Sequence, residues 1–331
     1  MTESILTALL ISLLASLILA PVARYLALRW NIVDTPGAHR KHARPVALLG
    51  GATILLVSTG VSLLILPTPA DVKYVLMAAT WMALWGLWDD LKHLPSGIKL
   101  VLQIVAAIAL IVSGIQVHLP LPAAVNLVLT MLWIVGVCNA INLLDNMDGL
   151  AAGISAIAMV FFIIMGMDSG QWALAILAAS TLGALLGFLR LNFAPATIYL
   201  GDSGSLYLGL LVATLGLQLK FPDTSPNATW LVPIVLLGLP LLDTTLVTVS
   251  RLRKGLNPLT SPGHDHISHR LNKMGLSVRQ TVILLYVVAM GLGGLALWIS
   301  RQSPATNAWV AVIFVISVLV TIVWLERTAD K

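Results

Sequence analysis

Four groups of residues have the types and spacing for chemistry. Asp89 and Asp90 stand side by side after Trp88, with Lys99 nine residues beyond. Adjacent carboxylates at a helix end attract a hard divalent cation or share a proton, and they also serve as plain helix caps. Asn139, Asn142, Asp145, Asn146 and Asp148 precede Gly149, and the three amides fall at helical spacing. An amide row in an apolar helix is costly unless it faces a cavity or bonds to another helix. Asn192 leads through Tyr199 to Gly201-Asp202-Ser203-Gly204-Ser205. Small residues before a helix let backbone approach a phosphate, and a carboxylate there either holds Mg²⁺ or acts as an N-cap. Ser261 to Arg270 contains His264, His266 and His269. The sole cysteine, Cys138, is remote and reads as packing. The histidines and Arg270 therefore suit anion binding or proton handling better than zinc, with a solvated loop as the bland reading.

The elements that must position these groups are membrane helices. The chain of 331 residues is 58% hydrophobic and 10% charged, with a mean hydropathy of +0.95. A soluble domain carries roughly 25% charged residues. Apolar runs this continuous exclude barrel strands, which alternate with period two, and leave helices as the means of satisfying backbone groups in lipid. The sequence predicts an all-α polytopic integral membrane protein of about 11 spans, at about 20 residues each. They fall near 4–28, 46–66, 73–88, 98–116, 121–143, 149–167, 171–190, 204–219, 229–250, 280–300 and 306–325. Residues 1–331 form a single transmembrane domain, in which 251–278 is a cytoplasmic loop. Gly183 and Gly187 have the small-xxx-small spacing of a close helix crossing.

Positive charge orients the spans. The first lacks the basic start of a signal peptide and carries Arg24 and Arg29 at its far end, which puts the N-terminus outside and the C-terminus in the cytoplasm. Only Lys73, Lys220 and Arg301 of the 19 Lys and Arg residues then fall outside. The same rule accounts for the net charge of +5, so no nucleic-acid role is assigned. This topology gathers Asp34, Asp89, Asp90, Asp145, Asp148, Asp202, Asp243 and Asp265 on the cytoplasmic face, with every histidine except His118. Asp243 lies about 12 Å along a helix from Arg251, inside the boundary, where an acid is a functional candidate or is paired with a buried partner. Three helices would start just after Asp90, Asp148 and Asp202 and aim their N-termini at one surface. Metal, carboxylates and helix dipoles suit an anionic, phosphate-rich transition state.

In this order the motifs resemble the bacterial polyprenyl-phosphate N-acetylhexosamine-1-phosphate transferases, relatives of the phospho-N-acetylmuramoyl-pentapeptide transferases. The match includes Val33-Asp34-Thr35-Pro36, Arg40-Lys41-His42, Pro45, Gly50-Gly51, Asp89-Asp90 with Lys99, Asn139 to Gly149, Asn192, Gly201 to Ser205, Asp243-Thr244 and His266 to Leu271. The resemblance implies an eleven-helix fold, a cytoplasmic site on the bacterial inner membrane, dependence on Mg²⁺ or Mn²⁺, and a homodimer. It also implies the reaction: undecaprenyl phosphate attacks the β-phosphate of a UDP-sugar, and UMP leaves. By position Asp202 is the metal ligand, and Asp89 and Asp90 engage and deprotonate the lipid phosphate. Asp145 and Asp148 complete the catalytic acids. Lys41, Asn142, Asp145 and Asn192 are nucleotide-side contacts, Tyr199 meets the uracil, Lys99 offsets diphosphate charge, and His266, His269 and Arg270 bind the donor's sugar or diphosphate. Ser268-His269 stands where many relatives have paired histidines, and the muramoyl branch's run of three is absent, which favours an N-acetylhexosamine donor, GlcNAc first, over UDP-MurNAc-pentapeptide. A secondary transporter is the competing class; it calls for midplane charges and inverted repeats, and no repeat is evident.

Overall fold

The computed structural model describes residues 1–34, 45–65, 69–221, 230–258 and 263–329. Among these the chain is almost wholly helical: α1 (Thr2–Arg29), α2 (Gly50–Ile65), α3 (Ala70–Lys92), α4 (Ser96–Val112), α5 (Ala123–Leu144), α6 (Leu150–Asp168), α7 (Trp172–Asn192), α8 (Gly201–Gln218), α9 (Leu231–Leu236), α10 (Gly238–Arg253), α11 (Ile267–Lys273), α12 (Val278–Ile299) and α13 (Pro304–Ala329). Six of them, α1, α5, α6, α7, α12 and α13, are long and apolar enough to cross a membrane, and α2 and α4 are shorter apolar helices.

The burial pattern is that of a protein solvated by lipid. α8 is the hub: from Ser203 to Gly216 every residue is buried, and α2, α3, α5 and α6 surround it. The outer helices α1 and α13 turn large apolar side chains outward, among them Leu14, Ile18, Trp309 and Leu319. With lipid as apolar as the core, close backbone packing and buried hydroxyls supply the helix contacts. Gly183 and Gly187 on α7 face α1; a Cβ on Gly183 would lie 2.3 Å from the Leu9 carbonyl oxygen. Ser16 donates to the Ala184 carbonyl at 2.7 Å across the same crossing. Tyr207 on α8 is 2.7 Å from Ser58 Oγ and 3.1 Å from Thr59 Oγ1 on α2. Cys138 is buried, with Sγ against the Leu206 carbonyl, which is the packing role expected of it.

Two local features depart from the sequence reading. The expected span at 229–250 is broken at Leu237 into α9 and α10. Pro240 has no N–H to donate to the Leu236 carbonyl, so the ladder stops and a new helix begins with proline in its first turn, where it is tolerated. The second is a short antiparallel pair, β1 (Val33–Asp34) with β2 (Val46–Ala47), which joins the end of α1 to the start of α2. Ala47 also bridges Ile198 in parallel, and Tyr199 N–H donates to the Ala47 carbonyl at 2.7 Å. That small sheet fixes the approach to α8.

Candidate active site

The floor of the site is backbone. At the N-terminus of α8 three chains meet with almost no side chain between them. A Cβ on Gly51 would lie 2.1 Å from Gly204 N, and one on Gly86 would lie 2.4 Å from the Asp202 carbonyl oxygen. Gly51 N–H donates to the Leu200 carbonyl at 2.9 Å. Gly201 takes a φ of +69°, open to glycine, and its Cα faces the Asp90 carboxylate.

On this floor stand the carboxylates. Asp90 Oδ1 accepts from Asp202 N–H at 2.8 Å and Oδ2 from Ser203 N–H at 3.1 Å. Asp90 thus caps α8 from another helix, a charge-assisted arrangement at the positive end of the helix dipole. Its neighbour Asp89, 5% exposed, accepts from Leu94 N–H and, through Oδ2, from Lys99 Nζ at 2.6 Å. Lys99, in the first turn of α4, also reaches Asp202 Oδ2 at 2.9 Å. Asn142 on α5 donates to the other Asp202 oxygen at 2.9 Å and to Ser205 Oγ at 2.8 Å. Asp89, Lys99, Asp202 and Asn142 form one continuous chain drawn from α3, α4, α8 and α5. Its acceptors are all oxygen, the donor set for a hard cation. The Lys99 ammonium already lies between Asp89 and Asp202, so this point favours positive charge. Among the described residues no group of three or more His, Cys, Asp and Glu side chains converges as a ready-made metal cage.

Asp145 sits one residue beyond α5 and makes no side-chain hydrogen bond among the described residues. Burial, with Asp202, Asp90 and Asp148 nearby, pushes its carboxyl well above the usual carboxylate range. Asp148 acts on the backbone instead: it accepts from Ala196 N–H at 2.8 Å and so pins the segment that leads to α8. Asn192, buried, pins the same segment from the other side by donating to the Ile198 carbonyl at 2.9 Å. Arg279 on α12 completes the hold by donating to the Ala194 carbonyl, while Tyr286 on the same helix donates to the Gly149 carbonyl ahead of α6. Tyr199 is half-buried on that segment.

Two amides of α5 and a third just beyond it bind three partners in turn. Asn139 exchanges hydrogen bonds with buried Gln103 on α4, Asn142 meets Asp202, and Asn146 accepts from Ser268 on α11. The interhelical reading thus holds for all three, and the partner of Asn142 is a carboxylate of the site.

The histidine segment docks through charge. Asp243 is 1% exposed, and its carboxylate lies 2.7 Å from His266 Nδ1 and accepts from Ile267 N–H at 2.7 Å. Its partners are thus a buried histidine and the first turn of α11. His269 packs edge-on between His264 and His266, at centroid distances of 4.7 and 5.9 Å. Burial and those two neighbours push its pKa down to about 4, so it is neutral at pH 7. Burial would raise the Asp265 carboxyl, but Lys254, Arg251 and Arg270 bring it below the usual range.

The expected residues fall into two sets. Asp89, Asp90, Lys99, Asn142, Asp145 and Asp202 converge. Asp148 and Asn192 support the segment before α8 by bonding its backbone. His266 and His269 line α11, but Arg270, 4% exposed, turns inward to the Leu325 carbonyl, Ser250 and Glu326. Those bonds hold its guanidinium in the protein. Lys41 lies outside the described residues. Sequence reasoning missed Glu326, Gln103 and the glycine floor. The available signal for Glu326 was rarity, since the chain has only one other glutamate, Glu3.

The chain is similar to known proteins over most of its length. Residues 72–220 match the model of glycosyl transferase family 4. The chain is 32% identical over 313 residues to the probable undecaprenyl-phosphate N-acetylglucosaminyl 1-phosphate transferase of Bacillus subtilis (strain 168), covering 89% of this chain and 87% of that one. It is 31% identical to the decaprenyl-phosphate N-acetylglucosaminephosphotransferase of Mycolicibacterium smegmatis, covering 92% and 84%. A phospho-N-acetylmuramoyl-pentapeptide-transferase of Clostridium botulinum is 32% identical over 67% of this chain and 76% of its own length.

Proposed function

The chain belongs to glycosyl transferase family 4, and from that membership we propose that it transfers N-acetylglucosamine-1-phosphate from UDP-GlcNAc to a polyprenyl phosphate, releasing UMP. The observation that carries the proposal is the Asp89–Lys99–Asp202–Asn142 chain set against the Asp90-capped N-terminus of α8. Relatives named for polyprenyl phosphate and N-acetylglucosamine support the choice of acceptor and sugar.

One P–O bond forms and one breaks. An oxygen of the acceptor phosphate bonds to the donor's β-phosphorus, the bond from that phosphorus to the oxygen bridging the two phosphates breaks, and UMP departs with the bridging oxygen. There is little covalent work for the protein in such a transfer; positioning and charge stabilisation dominate. Lys99 neutralises the diphosphate as negative charge moves onto the leaving group. Asn142 holds the Asp202 carboxylate in one rotamer. Asp90 fixes the first turn of α8, whose dipole favours the anionic donor. Asp89 lies beside Asp90 at the acceptor side, and the pair orients and deprotonates the lipid phosphate. Asp145, whose oxygens have no hydrogen-bond partner among the described residues, is available to the nucleotide. Asp202, with Asp89 near it, would hold Mg²⁺, which would supply positive charge to offset that of the phosphates.

The topology proposed with this chemistry is eleven spans in the bacterial cytoplasmic membrane, N-terminus outside, C-terminus and active site on the cytoplasmic face. The excess of Lys and Arg at one set of helix ends supports it.

The deciding experiment supplies the purified protein with undecaprenyl phosphate, Mg²⁺ and a panel of UDP-sugars and measures UMP. Release with UDP-GlcNAc, abolished by chelation, is the expected result. Release with UDP-MurNAc-pentapeptide alone would move the protein to the muramoyl branch, and metal-independent release would remove the metal from Asp202.

A further inference from the structure

α11 is seven residues long and carries His266 at its N-cap and His269 within it. An isolated helix of this length is unstable in water, so its orientation must come from what holds it. At its start Asp243 accepts from Ile267 N–H. At its middle the holding group is Arg270, whose Nε donates to the Asp265 carbonyl at 2.9 Å and whose terminal nitrogens donate to the Leu325 carbonyl, Ser250 Oγ and Glu326. Of these four acceptors only Glu326 carries charge. Glu326 is 8% exposed, and its second oxygen accepts from Arg253 at the end of α10. It stands at the end of α13, an outer helix that otherwise turns apolar side chains outward, and acids contribute little to membrane topology. Neither solubility nor orientation explains a glutamate here; the two guanidinium groups do.

We propose that Glu326 is a positioning residue for donor binding: it compensates the buried charge of Arg270 and thereby fixes the His266–His269 face of α11. Without it Arg270 keeps no charged hydrogen-bond acceptor and has only the nearby Asp265 carboxylate, shared with Lys254 and Arg251, to offset its charge; the guanidinium moves toward water, and α11 turns with it. The proposal rests on the reading that α11 faces the UDP-sugar.

The test uses the full chain in nanodiscs as wild type, Glu326→Gln and Glu326→Asp, with Asp168→Asn as a control that breaks only the exposed pair with Arg301. Hydrogen exchange of residues 265–274, measured without substrate, reads the clamp itself. Glu326→Gln is expected to speed exchange there selectively and to raise KM for UDP-GlcNAc about tenfold with kcat within about threefold, the pattern of lost ground-state binding. Glu326→Asp keeps the charge one methylene short and should show a smaller rise in both, about twofold in KM, and that rise carries the readouts if Glu326→Gln does not fold. Unchanged exchange in α11, or exchange raised evenly through α10, α12 and α13, overturns the clamp. Faster exchange with unchanged KM overturns its link to the donor. If wild type releases no UMP from any UDP-sugar, the transferase reading falls, while the exchange measurement still decides whether Glu326 holds α11.

Discussion

Asp89 and Asp90 are adjacent in the sequence and indistinguishable there. The fold separates them: Asp90 is bonded to the backbone of α8, and Asp89 to Lys99. Asp90→Asn keeps one acceptor oxygen but loses charge at the helix N-terminus. A stability loss of about 1 kcal/mol is expected from the weakened cap, together with a large fall in kcat, read by thermal unfolding in detergent and by UMP release. Asp202→Asn should abolish turnover with the fold retained, because the amide loses the charge that attracts the Lys99 ammonium, keeps one acceptor oxygen for two donors, and cannot serve a metal as a carboxylate does. Substantial UMP release by that variant at saturating Mg²⁺ would sink the assignment. His269 supplies a pH dependence. Its folded pKa of about 4 lies below the ordinary histidine value, so between the two the unfolded loop takes up a proton that the folded loop refuses. The docked segment should therefore lose stability as pH falls from about 6.5 toward 4 and be unaffected above that window. Hydrogen exchange across the range checks this, and His269→Gln should flatten it.

The helices were legible as elements because apolar length survives translation into lipid-exposed structure. Their junctions were less so. The break at Leu237 was foreshadowed by Pro240, but the β1–β2 pair and the Ala47–Ile198 bridge join residues far apart in sequence, with no periodicity to reveal them. The carboxylate cluster was visible because ionisable residues are rare in so apolar a chain. The inward turn of Arg270 was not, since composition says nothing of which way a guanidinium points. Glycine contacts were equally hidden: Gly86 and Gly97 look alike in the sequence, and Gly51 stood out only through the resemblance. Gly51→Ala and Gly86→Ala force a Cβ into backbone at 2.1 and 2.4 Å and should each cost about 1–3 kcal/mol or more, with activity lost. Gly97→Ala meets nothing within 4 Å in α4 and should be neutral or stabilising by up to about 1 kcal/mol. Thermal unfolding of the three side by side distinguishes contact from helix propensity.

At the scale of the whole molecule, the proposed orientation can be tested with the chain's own composition. The single cysteine is buried, so a Cys138→Ala background should stay folded and unreactive. In that background Lys254→Cys should react with an impermeant maleimide only in inverted vesicles, and Ser303→Cys only in right-side-out ones. The opposite pattern would invert the topology and place the carboxylates outside the cell.

The glycine floor beneath α8 also constrains how this protein can change over generations. A pocket walled by side chains drifts by compensation, one neighbour shrinking as another grows. Where Gly51 meets Gly204 and Gly86 meets the Asp202 carbonyl, there is no side chain left to shrink. A substitution at Gly51 or Gly86 meets backbone alone at its nearest contacts and has no second-site partner there. Substrate preference must therefore diversify at the rim, through the segments around His264 and Tyr199, while the floor is inherited as one indivisible unit.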